Sequence, residues 1–88
     1  MIEDEGFERL RVLFAEDMAE KVRSLRSLMR EANWPEIGKI AHQIGGTARS
    51  FGYPEISDVA NELERSTGRI SLEEATLLVD KISEKFVL

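Results

Sequence analysis

Cysteine is absent from this chain, which excludes disulfide scaffolds, Cys-ligated zinc and thiol nucleophiles. Histidine is nearly absent: His42 is the only one, too few for a His-rich metal site. Positive charge is also scarce, with 12 Lys+Arg against 17 Asp+Glu and a formal charge of −5, whereas a nucleic-acid binder needs a basic face for phosphate contacts. No apolar run approaches the roughly 20 residues that cross a bilayer. The opening Met-Ile-Glu-Asp-Glu is acidic where a signal peptide is basic. Period-two alternation, low-complexity stretches, repeats and domain-dividing linkers are missing too. These absences leave the expectation of a cytoplasmic domain that binds neither nucleic acid nor membrane. Its 88 residues allow one domain, and an apolar content of 42% suffices for a core if that core packs efficiently.

What is present repeats at three and four, the helical period. The spacing predicts a first helix over residues 7–32, with Phe7, Leu10, Phe14, Met18, Val22, Leu25, Leu28/Met29 and Ala32 facing a core. Arg9, Arg11, Glu16, Lys21, Arg23, Arg26 and Arg30 lie between them and read as a solvated face. Asn33-Trp34-Pro35-Glu36 combines a capping residue, a proline in the first turn and an acid at the capping-box position. It opens a second helix over 34–51 through Ile37, Ile40, Ala41, Ile44 and Ala48, with Gly52 suited to the left-handed residue past its end. Pro54 opens a third helix over 54–67, carrying Ile56, Val59, Ala60 and Leu63. Ser71 with Glu74 three residues later starts a fourth over 72–86, carrying Leu72, Ala75, Leu78/Val79, Ile82 and Phe86. Trp34 is expected to anchor one bundle end, and Phe51 and Tyr53 to close the other. Four amphipathic helices joined by short turns predict an all-α, antiparallel four-helix bundle.

The direction of His42 follows from helix geometry. With Ile37 at zero and ~100° per residue, Ile40, Ala41, Ile44 and Ala48 fall within about 60° of it, and His42 at roughly 140°. His42 is therefore expected to face solvent from a well-packed helix. Its surface neighbours are Gly38, Lys39, Gly45 and Gly46, three or four residues away, with Arg49 two turns along. Three helix-interior glycines cost roughly 2–3 kcal/mol relative to alanine. Bare backbone of this kind suits the close approach of another macromolecule to the imidazole.

The chemistry open to such a residue is narrow. A metal site lacks further ligands. A triad lacks a designated partner, since Ser50 is remote and there is no nucleophile elbow. No glycine-rich phosphate loop joins a strand to a helix. An unprotonated imidazole nitrogen can, however, attack phosphorus. A helix face without a pocket leaves the remaining catalytic groups to a partner.

The run Ile40-Ala41-His42-Gln43-Ile44-Gly45-Gly46-Thr47-Ala48-Arg49-Ser50-Phe51-Gly52-Tyr53, followed by Ile56 and Leu63-Glu64, resembles the histidine-containing phosphotransfer (HPt) domain. The shared pattern is Ala-His, glycine four residues after the histidine, small residues, an apolar-Gly pair and a later Leu-Glu. The resemblance implies a four-helix bundle that carries a phosphoryl group on His42, through the ε nitrogen, and exchanges it with an aspartate of a response-regulator receiver domain or takes it from a histidine kinase. It implies a carrier with no cofactor and no catalytic machinery of its own, the receiver supplying Mg²⁺, acidic ligands and a lysine; the chain is expected to be a monomer. Gly46, with Gly38, would admit the partner, Gln43 would flank the site, and the first two helices would form most of the docking surface. One position departs: Gly45 stands where the motif has lysine. Lys39 or Arg49 is then expected to supply positive charge near the phosphoryl group. A phosphate-free module that docks a receiver or kinase is the competing reading. A phosphatase working through phosphohistidine would need acid–base residues that the sequence does not show.

Overall fold

In a computed structural model, the backbone is described for residues 2–86 and the side chains for residues 6–86. The acidic opening segment therefore lies outside the described side chains. Four helices occur in the order α1 (Ile2–Arg30), α2 (Trp34–Ser50), α3 (Pro54–Ser66) and α4 (Leu72–Ser83), with no strand among the described residues. Helix α1 packs on α2 and α4, and α3 packs on α2 and α4. Sequence-adjacent helices that pack together through such short turns must run antiparallel, so the four form a square up-and-down bundle.

Each turn has an identifiable stop and start. Past α2, Gly52 adopts φ +84°, its N–H donates to Arg49 O, and the Tyr53 N–H reaches back to Ala48 O at 2.9 Å. This is a Schellman closure with glycine at the left-handed position. The same closure ends α1, where the Ala32 N–H donates to Met29 O and the Asn33 N–H to Leu28 O. There the left-handed residue is Ala32, at φ +53°. Without a glycine to mark the stop, the apolar spacing carries the expected helix through Ala32, but that residue sits exposed in the turn. Asn33 Oδ1 accepts from the Glu36 N–H, and Ser71 with Glu74 forms the reciprocal capping box at the start of α4. The fourth helix stops three residues short of Phe86.

The core consists of Phe14, Met18, Val22, Leu25 and Met29 of α1, Ile37, Ala41, Ile44 and Ala48 of α2, Ile56, Ala60 and Leu63 of α3, and Ala75, Leu78, Val79 and Ile82 of α4. Trp34 and Tyr53 pack against its edges. Phe14 closes one end by stacking on Phe51 and Tyr53, at ring-centroid distances of 4.5 and 5.2 Å, with Phe86 edge-on at 5.5 Å. Besides Ala32, three expected core members lie outside: Phe7, Leu10 and Leu72 are 59%, 51% and 39% exposed. Leu72 is the first residue of its helix, at the bundle's edge. The other two follow from length. At 1.5 Å per residue α1 spans about 43 Å and α2 about 25 Å, so the stripe of α1 continues past the end of its partners and Phe7 and Leu10 stay outside the core.

Candidate functional site

His42 projects from the middle of α2, and its side chain is 75% exposed. The opposite face of the same turns is fixed by Ile37, Ala41, Ile44 and Ala48, all fully buried. The imidazole thus stands on backbone held from behind by the core.

The ring is also held from the side. Its Nδ1 lies 3.1 and 3.2 Å from the two carboxylate oxygens of Glu64 on α3. A carboxylate only accepts, so Nδ1 carries the hydrogen and donates it. In the neutral ring this contact sets the tautomer, with the lone pair on Nε2. Sequence reasoning did not assign this partner. The available signal was Leu63-Glu64: Leu63 is buried, which turns the following residue toward an edge of α3. Which edge depends on how α3 is rotated against α2, a tertiary quantity.

The glycines around His42 divide into three kinds. A Cβ on Gly46 would meet nothing within 4 Å, and one on Gly38 would make ordinary contact with Thr67 at 3.7 Å. Gly45 is different: it is buried, and a Cβ there would come to 2.5 Å from Asn61 Oδ1. The expectation that all three border bare surface is therefore corrected for Gly45. It lets α3 come close to α2 and does not line the open face beside the imidazole.

His42 stands between two shallow depressions. The one on the α3 side, of about 600 Å³, is lined by Trp34, Gly38, Lys39, Gln43, Glu64 and Thr67. The one on the α1 side, of about 510 Å³, is lined by Lys21, Gln43, Gly46, Thr47 and Ser50. Lys39 Nζ lies 3.2 Å from Glu36 of its own helix. Arg49 is exposed, with no carboxylate within ion-pair distance among the described residues. Lys21 Nζ lies 2.9 Å from both oxygens of Asp17. Among the described residues no three metal-ligating side chains cluster, and no helix is long and apolar enough to cross a membrane.

The arrangement is a solvent-facing imidazole, held through Nδ1, without an enclosing pocket. The family model for the Hpt domain matches residues 9–84, nearly the whole chain. The chain belongs to the Hpt family. Neither a search of curated proteins nor one of solved structures found a match. Hpt domains are phosphocarrier modules that interact with kinases and receiver domains, so this Hpt domain takes part in histidine phosphotransfer signalling. Its four helices are the helical bundle of that family.

Proposed function

We propose that this Hpt domain is a phosphorelay intermediate that accepts a phosphoryl group on His42 Nε2 and exchanges it with a receiver-domain aspartate. One observation carries the reading: Glu64 engages Nδ1, so that in the neutral ring the lone pair lies on the other nitrogen, on an exposed side chain of a rigid helix.

The transfer follows from that geometry. The Nε2 lone pair attacks the phosphorus of an aspartyl phosphate in line. The N–P bond forms as the P–O bond to the aspartate breaks, and the carboxylate leaves with the electron pair. The ring, now bearing Nδ1–H and Nε2–P, is positively charged, and the Glu64 carboxylate 3.1 Å away offsets that charge. In the reverse direction the same proton, held on Nδ1, makes the imidazole a good leaving group. The chain contributes position and charge, and the remaining catalytic groups come with the receiver. Gly46 leaves room for that partner, with Gly38 at the rim of the opposite depression. Gln43 flanks the phosphoryl group, and Lys39 and Arg49 lie farther off on the same helix. The carrier works as a monomer in the cytoplasm and needs no cofactor of its own.

The test is incubation with a phosphorylated receiver domain and Mg²⁺. The expected product is an acid-labile, base-stable phosphate on His42, absent from His42→Gln, which still binds the receiver. A relay that runs normally through His42→Gln would overturn the proposal in favour of a docking module that carries no phosphate.

A further inference from the structure

We infer that Lys21, on α1, is the residue that holds the phosphoryl group on His42, doing from a neighbouring helix what no side chain at position 45 can do. The inference rests on the reading of His42 as phospho-acceptor.

Three observations converge on Lys21. First, position 45 faces α3, where even a Cβ would come to 2.5 Å from Asn61 Oδ1. A cation is therefore not deliverable from that position without moving Asn61. Second, the two ring nitrogens of an imidazole point away from one another. With Nδ1 tied to Glu64 on α3, Nε2 is turned from the α3 side, and a group bonded to it is carried away from the Glu64 carboxylate. Third, the depression on the other side of His42 is lined by Lys21, together with Gln43, Gly46 and Thr47. Axes of packed helices lie roughly 8–10 Å apart, a gap that a lysine stem from the flank of α1 bridges.

The other cations are less well placed. Lys39 lines the α3-side depression and is engaged by Glu36. Arg49 is seven residues from His42, about 10 Å along the helix. Lys21 is half-buried and already oriented by its contact with Asp17 at 2.9 Å. An ammonium has three donors, so a phosphoryl oxygen can be added to this pair, or can displace Asp17 from part of it. The dianion then meets a positive charge held in place beforehand, which lowers the reorganisation needed at transfer.

Phosphoramidate is a small anionic donor that needs no docking surface, so its rate of loading His42 reads the local charge alone. The experiment compares the full chain with Lys21→Ala, Lys21→Arg and Asp17→Asn, and with Lys81→Ala on α4 as an equal change of net charge. Mass spectrometry follows the phosphate, and thermal melting checks the fold. Lys21→Ala is expected to load about fivefold more slowly, the effect of one partly exposed charge contact, with Lys21→Arg restoring the rate to within about twofold. Asp17→Asn, which frees Lys21, is expected to load faster than the unmodified chain. Lys39→Ala and Arg49→Ala are expected to lose less than Lys21→Ala. Equal rates for Lys21→Ala and the unmodified chain would overturn the inference, as would the same loss in Lys81→Ala. A chain that loads in this pattern yet never exchanges with any receiver keeps the role of Lys21 and refutes the relay. Relay through His42 with Lys21→Ala loading normally does the reverse.

Discussion

The two flanks of α2 each carry a glycine near His42 and behave oppositely. Gly45 and Gly46 are neighbours in the chain, yet one lies under Asn61 of α3 and the other faces open space. On the α3 side the small residue brings a second helix close enough for Glu64 to hold the imidazole. On the α1 side it keeps the surface low beside the imidazole's free nitrogen. A glycine inside a helix thus has no single meaning: the same missing Cβ serves packing at one position and access at the next.

The contrast can be broken by filling each side in turn. Gly45→Leu should have the largest effect, because its side chain must displace Asn61 and push α3 outward. A loss of about 2 kcal/mol is expected from overpacking, seen as a melting temperature roughly 10 °C lower. A melt unchanged from the parent would show that the α2–α3 contact is loose. Next is Glu64→Ala, which leaves the fold intact and removes the group that holds Nδ1. Exchange with a receiver should slow about tenfold, a barrier increase of 1.4 kcal/mol. Nitrogen NMR should show the ring passing from one tautomer to a mixture. Retention of a single Nδ1–H tautomer in that variant would mean that some other group orients the ring. The smallest effect belongs to Gly46→Ala, expected to stabilise the helix by about 0.8–1 kcal/mol while slowing receiver exchange. A destabilised Gly46→Ala would place packing on the flank described as open.

The bundle itself was legible because helix period and caps are local properties. Ser71 with Glu74, Asn33 before Trp34-Pro35, and Gly52 after α2 each act within a few residues of themselves. The outward direction of His42 was legible for the same reason, since it depends only on the phase of its own helix. The departures share a cause. Phe7 and Leu10 carry the right spacing, but burial requires a neighbour at the same height, and α1 outruns its neighbours. Ala32 occupies a backbone conformation that glycine usually signals. Glu64, Asn61 and Lys21 reach the site from α3 and α1, so their relation to α2 depends on rotations between helices that no single-helix pattern encodes.

The hydrogen bond from His42 to Glu64 joins residues 22 apart in the chain. The aim of the imidazole is therefore a property of assembled helices and not of the motif around the histidine. If α3 detaches while α2 persists, the imidazole remains but is free to tumble and to exchange its tautomers. In the proposed relay, competence for transfer then disappears before helical content does. For the proposed carrier, signal traffic is restricted to molecules that have finished folding, a form of proofreading that requires no additional component.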